Sequence, residues 1–179
     1  MRLFAGIELD QRTRDACVAI QDRLRAAGFD ARYEPAEKLH ITLAFLGRVD
    51  PAQIGAVTRV LDDVASHHPA FALTLDKVGA FPHERRPRVI FVGSRAQGAP
   101  IRALATELRD RYGTMGFTFE DDVVAHVTIA RVKGGAPRPV PLLDVAPQQL
   151  RVGRLALFES LPDKRTTRYV VREVSVMRS

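Results

Sequence analysis

The chain has 179 residues, which suits one domain or two small lobes that share a core. Its 27 basic and 21 acidic residues give a formal net charge of +6, which is compatible with an anionic partner. A single cysteine, Cys17, excludes an internal disulfide, and its place in an apolar helical stretch predicts a buried structural thiol.

Apolar spacing predicts an alternation of strands and helices. A strand is predicted over 2–9, and Asp10 is a suitable N-cap for a helix that stops at Gly28. Further predictions are strands over 39–46, 70–78, 88–92, 123–132, 149–159 and 167–177, a helix begun by Asp50-Pro51, a helix over 99–112 capped by Gly113, and loops over 79–88 and 134–141. A short additional strand is expected near 31–33 or 117–120. Several adjacent strands in this mixed order indicate an α+β fold.

The N-terminal segment predicts neither export nor membrane insertion. Residues 1–8 are too short and too soon acidic for a signal peptide, and no apolar run approaches the roughly 20 residues of a membrane span. We therefore expect a cytoplasmic protein without a membrane partner. A monomer is the default expectation, because the sequence carries no information on oligomeric state.

One five-residue pattern occurs twice, 86 residues apart. Residues 40–44 (HITLA) and 126–130 (HVTIA) both read His-apolar-Thr-apolar-Ala. Because side chains alternate along a strand, each copy would present its histidine, threonine and alanine on one face. In the first copy Ile41, Leu43 and Phe45 would enter a lobe core on the other face. Two such strands facing across a groove would surround a tetrahedral anion with two imidazoles and two hydroxyls.

A single His-x-Thr pattern would carry little information, because threonine is a favoured strand residue. The repetition with the same flanking pattern is what favours a functional site. Asp121 and Asp122 precede the second copy and could help to hold a cation. A turn or strand entry is the favoured interpretation of that pair, since metal sites need three or four converging ligands. We therefore expect no metal and no cofactor.

With these motifs the sequence resembles the bacterial and archaeal RNA 2′,3′-cyclic phosphodiesterases, once called 2′-5′ RNA ligases, of the two-histidine (2H) phosphoesterase superfamily. The resemblance covers nearly the whole chain and is strongest over 32–47 and 126–131. It implies one bilobal α+β domain over 1–179, with two antiparallel sheets facing a central cleft and helices on the outside. Tyr33 and Phe91 stand where we expect a tryptophan in that family.

The resemblance also implies roles for the repeated motif. His40 would be the general acid for a departing 3′-oxygen and His126 the general base for water, although the sequence alone does not decide which is which. Thr42 and Thr128 can donate hydrogen bonds to phosphate oxygens. Arg131 could add a bidentate contact, but strict alternation places it on the face away from His126 unless the strand bulges or ends there.

The implied reaction is hydrolysis of 2′,3′-cyclic phosphate at RNA or nucleotide ends to a 2′-phosphomonoester. The reverse reaction would join a 5′-hydroxyl to the cyclic end as a 2′-5′ linkage. The alternative is a non-catalytic RNA- or nucleotide-binding module that keeps the groove. Intact histidines and threonines favour the enzyme.

Overall fold

The structure is a computed structural model, which describes residues 1–134, 138–164 and 166–179. Its strands are β1 (Arg2–Glu8), β2 (Arg32–Tyr33), β3 (His40–Arg48), β4 (Phe71–Leu75), β5 (Lys77–Phe81), β6 (Val89–Gly93), β7 (His126–Arg131), β8 (Gln148–Val152), β9 (Arg154–Asp163) and β10 (Thr166–Val176). Its α-helices are α1 (Gln11–Ala26), α2 (Ile54–His67) and α3 (Ala99–Gly113). Two short 3₁₀ helices, Ala36–Lys38 and Pro51–Gln53, precede β3 and α2.

These strands pair antiparallel into two sheets. The larger sheet has the order β10-β9-β1-β3-β7-β6-β5, with β2 paired onto β7, and the smaller sheet joins β4 to β8. Helix α1 packs against β7 and β8, and α3 packs against β3. The predicted α+β fold with antiparallel sheets is therefore confirmed. A single residue pair, Ile41 with Val127, joins the two halves of the larger sheet.

The two halves of the chain are related by an approximate two-fold axis. The succession β1-α1-β3 recurs about 86 positions later as β6-α3-β7. Ile41 and Val127, which pair across the centre of the sheet, are equivalent positions of the repeat. Antiparallel pairing of equivalent residues is the contact that a two-fold axis generates, so the axis passes beside this pair.

The helix boundaries follow from local sequence. The Asp10 side chain accepts a hydrogen bond from the Thr13 backbone N–H at 2.7 Å, which confirms the predicted N-cap of α1. Helix α1 ends two residues before Gly28, which takes the left-handed φ of 74° that favours glycine. The cap predicted for α3 was wrong: Gly113 is its last residue, and Gly116 takes the positive φ, 93°.

The sequence missed two strand boundaries. It predicted one strand over 70–78 followed by a loop over 79–88, but the structure has two strands, β4 and then β5, which begins in the predicted strand and continues three residues into the predicted loop. Gly79, the first residue of the predicted loop, lies in β5, where an added Cβ would overlap the Phe91 ring. The strand predicted over 149–159 is divided at Gly153 into β8 and β9. Residues 135–137, part of a predicted loop, lie outside the described residues.

One apolar core lies between the helices and the sheets. Its fully buried members include Leu24, Ile41, Leu61, Ile90, Leu104 and Leu108. Cys17 lies in this core on α1, as predicted, and burial raises the pKa of its thiol to about 12. None of the helices within the described residues combines the length and the apolarity that crossing a membrane requires.

Strand β3 contains a β-bulge in the middle of the first repeated motif. Thr42 lies opposite Gly6 of β1, and Ala44 lies opposite Ala5, so Leu43 is an extra residue without a partner in register. A bulge of this kind shifts the side-chain alternation of the residues that follow it by one position.

Strand β7 contains a bulge at the equivalent position. Thr128 lies opposite Phe91 of β6, and Ala130 lies opposite Ile90, so Ile129 is the extra residue. The burial pattern is the same in both strands: half-buried, buried, half-buried, buried, buried, exposed. The two bulges are therefore a repeated feature of the fold.

The bulges correct the predicted faces of the residues that follow them. Ala44 and Ala130 were expected on the face of the histidines, but both are fully buried and neither lines the cleft. Phe45 was expected to enter a lobe core, but it follows the first bulge and is exposed on the same face as His40. Arg131 follows the second bulge and lies on the face of His126, which resolves the conflict that strict alternation predicted. Phe45 and Arg131 are equivalent positions of the repeat.

The carbonyl group of each bulged residue accepts a hydrogen bond from outside the strand. Arg109 Nε on α3 donates to the Leu43 oxygen at 2.8 Å. Gln21 Nε2 on α1 donates to the Ile129 oxygen at 2.8 Å, and the Glu34 backbone N–H donates to the same oxygen at 2.9 Å. These donors satisfy carbonyl groups that the irregular register leaves without a regular partner.

The first bulge depends on a close backbone approach at Gly6. A Cβ added there would overlap the Ile41 carbonyl oxygen, a backbone atom that cannot rotate away. We expect Gly6→Ala to lower the free energy of unfolding by about 1–3 kcal/mol, measured by urea denaturation. The control is Gly55→Ala in α2, where the nearest heavy atom would be Arg59 Nη1 at 3.9 Å. It should be neutral or stabilise by up to about 1 kcal/mol, and equal effects of the two substitutions would contradict the prediction.

Candidate active site

A cleft of about 590 Å³ opens over the junction of β3 and β7. It is lined by His40 and Thr42 from the first motif and by His126, Thr128 and Arg131 from the second. The structure thus brings all five predicted site residues to one surface. The other lining residues are Arg2, Phe4, Glu34, Lys38, Phe45, Asp121, Ser160, Pro162, Thr166, Thr167 and Tyr169.

The central pair sets how these side chains face each other. Because Ile41 and Val127 pair antiparallel, His40 lies across from Thr128 and His126 lies across from Thr42. Each half of the chain therefore contributes one imidazole and one hydroxyl, and the register sets each histidine level with the threonine of the other half. This is a two-fold arrangement of four polar groups around one gap.

Backbone carbonyl groups fix both imidazole rings. His40 Nδ1 lies 2.6 Å from the Lys38 oxygen, and His126 Nδ1 lies 2.6 Å from the Val124 oxygen. A carbonyl oxygen can only accept, so Nδ1 of each ring carries the proton and donates. The atom left to exchange protons is Nε2 in both rings. His40 Nε2 lies 2.9 Å from Thr42 Oγ1.

Aromatic side chains surround both rings. The His40 centroid lies 4.8 Å from that of Phe4 and 5.1 Å from that of Tyr169. The His126 centroid lies 5.1 Å from Phe81 and 5.4 Å from Phe91, both edge-on. These contacts hold the rings in place and remove much of their hydration.

Burial lowers the pKa of both imidazoles. For His40 burial is the main cause, the carbonyl hydrogen bond and Glu34 oppose it, and the charges of His126 and Arg131 lower the pKa further. Burial is also the main cause of the lowered pKa of His126. Because the charge of one ring lowers the pKa of the other, the two rings interact across the cleft.

Two charged residues that the sequence analysis did not single out belong to the cleft. Glu34 accepts a hydrogen bond from Arg131 Nε at 3.1 Å. Lys38 is buried and donates from Nζ to Thr166 Oγ1 at 2.7 Å. Both lie in the strongest stretch of the family resemblance, and Lys38 precedes His40 by two residues. The resemblance rested on other residues of that stretch, so the sequence analysis did not predict these two as cleft residues.

The aromatic residue Phe45 reaches the cleft, whereas Tyr33 and Phe91 do not. The Tyr33 hydroxyl donates to the Phe29 oxygen at 2.7 Å, and the Arg25 guanidinium carbon lies 4.2 Å from the Tyr33 ring centroid. Phe91 is buried behind His126. Phe45 is 47% exposed and lines the cleft.

Asp121 lies at the edge of the cleft, 81% exposed, with a carboxylate oxygen 3.7 Å from Arg109 Nη2. The Asp121 backbone oxygen also accepts from Arg109 Nη1 at 2.6 Å. Across 1–134, 138–164 and 166–179, no three His, Cys, Asp or Glu side chains converge in a way that could hold a metal ion.

Comparison with known proteins places the chain in a family. The sequence profile of the LigT-like phosphoesterases matches it twice, over residues 7–91 and 92–169. An RNA 2′,3′-cyclic phosphodiesterase of Thermotoga maritima is 31% identical over 163 residues, covering 89% of this chain and 87% of the relative. That of Archaeoglobus fulgidus is 34% identical over 137 residues, 76% of each chain.

A crystal structure of a Thermus thermophilus protein superposes with a TM-score of 0.86 at 27% identity, covering 99% of this chain and 98% of the other. The two profile matches meet within β6, and each match contains one copy of the His-x-Thr motif. The family assignment therefore rests on both copies of the repeat. The chain belongs to the LigT-like phosphoesterase family.

Proposed function

We propose that this protein hydrolyses the 2′,3′-cyclic phosphodiester ends of RNA or nucleotides to 2′-phosphomonoesters, with His40 and His126 as its proton-transfer groups. The observation that carries the proposal is the Ile41–Val127 pair, which directs two equivalent His-x-Thr motifs into one cleft. The relatives named RNA 2′,3′-cyclic phosphodiesterase support the substrate class. One bilobal domain over residues 1–179 is part of the proposal, because the cleft needs both halves.

His126 is proposed as the general base. Its Nδ1 proton is held by the Val124 oxygen, so Nε2 has a free lone pair in the neutral ring. A water molecule between Nε2 and phosphorus loses its proton to Nε2 while its oxygen forms the new bond to phosphorus. The lowered pKa of His126 keeps the ring in the neutral form that this step needs.

His40 is proposed as the general acid. In its charged form Nε2 carries a second proton, which it transfers to the 3′-oxygen as the bond between phosphorus and that oxygen breaks. The phosphate remains on the 2′-oxygen, and one water molecule has been added overall. Burial holds the pKa of His40 below its ordinary value, and the Lys38 carbonyl and the Glu34 carboxylate partly oppose that lowering, which favours the charged form.

The remaining groups stabilise the charge that develops on phosphate. Thr42 and Thr128 can each donate a hydroxyl hydrogen bond to a non-bridging oxygen from opposite sides of the two-fold axis. Arg131 can turn from Glu34 to the phosphate, because its guanidinium carries donors beyond the Nε atom used in that ion pair. Replacing water by a 5′-hydroxyl in the same scheme forms a 2′-5′ linkage, which is the proposed ligation.

The roles of the two histidines can be separated by the leaving group. On a 2′,3′-cyclic-phosphate oligonucleotide, His40→Ala and His126→Ala should each lower kcat by about 10²–10⁴-fold. Methyl 4-nitrophenyl phosphate has a leaving group that needs no proton, so there His40→Ala should lose less than about tenfold and His126→Ala should still lose the full factor. Product analysis and absorbance give the rates.

The opposite pattern on the nitrophenyl ester would exchange the two roles. Retained turnover of the cyclic phosphate by both variants would remove these residues from the mechanism. Binding of the oligonucleotide without turnover by the parent protein would instead favour the non-catalytic binding module.

The lowered pKa values predict an acidic optimum. The reaction needs one neutral and one charged imidazole, and burial places both pKa values below the ordinary 6.5. Because kcat/KM reports the free enzyme, its profile should be bell-shaped, peak below about pH 6.5, and fall as the pH rises through the pKa of the general acid. With the nitrophenyl ester, which needs no general acid, the fall of kcat/KM on the alkaline side of the profile should disappear. A maximum above about pH 6.5 would contradict this prediction.

The proposed mechanism assigns every proton transfer and charge contact to side chains, so no step calls for a metal. We expect the rate of cyclic-phosphate hydrolysis to be unchanged in excess EDTA. The measurement is the rate before and after dialysis against the chelator. Loss of turnover that is restored by adding a divalent ion would overturn the metal-free scheme.

A further inference from the structure

The two halves of the cleft share a backbone contact but differ in the side chain at that position. In each motif the residue two before the histidine accepts a hydrogen bond from Nδ1 through its carbonyl oxygen, at 2.6 Å in both cases. That residue is Lys38 in the first half and Val124 in the second, 86 positions later. Because Val124 supplies the contact with an apolar side chain, orientation of the imidazole does not require the lysine ammonium group.

The Lys38 side chain is buried in a way that its charge does not favour. Its exposure is 9%, and Nζ donates to one neutral acceptor, Thr166 Oγ1, at 2.7 Å. Among the residues that the structure describes, no carboxylate oxygen lies within 4.0 Å of that nitrogen. An ammonium group has three donors, and a buried charge is costly unless it is paired. The unused donors of this cleft-lining lysine are therefore available to an anion.

The position of Lys38 separates it from the proposed reaction centre by one aromatic ring. Its Nζ lies 5.8 Å from the centroid of the Tyr169 ring, and the His40 centroid lies 5.1 Å from that of the same ring. The reacting phosphate lies between the two histidines in the proposed scheme, so an anion at Lys38 is a second one. A strand that ends in a 2′,3′-cyclic phosphate continues only through its 5′-oxygen.

The cleft is open to solvent beside this lysine. Thr166 and Thr167, at the start of β10, line the cleft and are exposed. A chain can leave the cleft past them, and their hydroxyl groups are donors of the kind that contact phosphate oxygens in nucleic-acid complexes.

We propose that Lys38, with Thr166 and Thr167, binds the phosphate group on the 5′-oxygen of the terminal nucleoside, and this inference rests on the proposed function. In an RNA strand that group is the phosphodiester that joins the last two nucleotides. A contact to the backbone carries no base preference. The preferred substrates are then RNA ends, over nucleoside 2′,3′-cyclic phosphates that have a 5′-hydroxyl.

The test varies the lysine and the phosphate together. The parent and Lys38→Met are assayed on the dinucleotide ApA with a terminal 2′,3′-cyclic phosphate, on its analogue with an uncharged methylphosphonate linkage, and on adenosine 2′,3′-cyclic phosphate. Lys38→Met should lower kcat/KM on the first substrate by about 10- to 100-fold, the range for a hydrogen bond between charged groups. It should change the other two by less than about twofold, and Lys38→Arg should retain the preference for the dinucleotide.

Salt dependence gives a second measurement of the same contact. One lysine–phosphate contact adds about 0.7 to the slope of log affinity against log salt concentration for a single strand. Lys38→Met should therefore reduce the slope of log kcat/KM on the charged dinucleotide by about 0.7. A fourth substrate, adenosine 2′,3′-cyclic phosphate with a 5′-phosphate, distinguishes the two sources of this group. A loss there extends the site to nucleotides, and no loss confines it to RNA strands.

Arg59→Met is the control, because it removes one positive charge from an exposed side chain of α2 that does not line the cleft. It should alter none of the rates. Equal losses on all substrates with Lys38→Met, or no loss on the charged dinucleotide, would overturn the site. If the parent hydrolyses none of them, the proposed function fails. Calorimetric binding of ApA with a terminal 2′-phosphate then decides the site alone: it stands if Lys38→Met binds at least fivefold more weakly, and falls if the affinities are equal.

Discussion

A regular β-strand shows only every second side chain to a given surface, and this constraint governs the whole cleft. Under strict alternation each repeated motif would offer a histidine, a threonine and an alanine, and the following residue would face the core. The bulges at Leu43 and Ile129 remove that limit by adding one residue to each central strand. Each half can therefore place a second large side chain beside its histidine and threonine. The site depends on two irregularities at equivalent positions.

Each bulge leaves a backbone carbonyl oxygen that needs a hydrogen-bond donor, and a side chain on a helix supplies that donor. A buried carbonyl group without a hydrogen-bond partner costs about 1–3 kcal/mol, so the freed oxygens need donors. Gln21 supplies one from α1 and is itself almost fully buried, and Arg109 supplies the other from α3. These polar side chains would be unfavourable in a plain apolar core. Helices α1 and α3 therefore support the cleft-forming strands by specific hydrogen bonds as well as by apolar packing.

These long-range contacts also explain how far the sequence could predict the structure. The alternation of side chains along a strand predicted the correct face for His40 and Thr42, because both precede the bulge. The N-cap residue Asp10 predicted the start of α1. The faces of Phe45 and Arg131 were not predictable in this way, since the bulges carry no local turn residue. They are held by donors 66 residues away for Leu43 and 108 away for Ile129. Strand β5 was missed because Gly79 resembles a loop residue until the Phe91 ring that covers it is known.

The two-fold pairing at the centre of the sheet has a consequence for the direction of catalysis. After one turnover the protonation states of the two histidines are exchanged, so that His126 is charged and His40 is neutral. A perfectly symmetrical cleft in that state would bind a substrate equally well in the reversed orientation, so it would not distinguish the two orientations. In the proposed scheme Arg131 contacts the phosphate, whereas Phe45 at the equivalent position carries no charge, and this difference contributes to the polarity of the site. Departures from internal symmetry, this one among them, therefore let the cleft distinguish the two ends of its substrate.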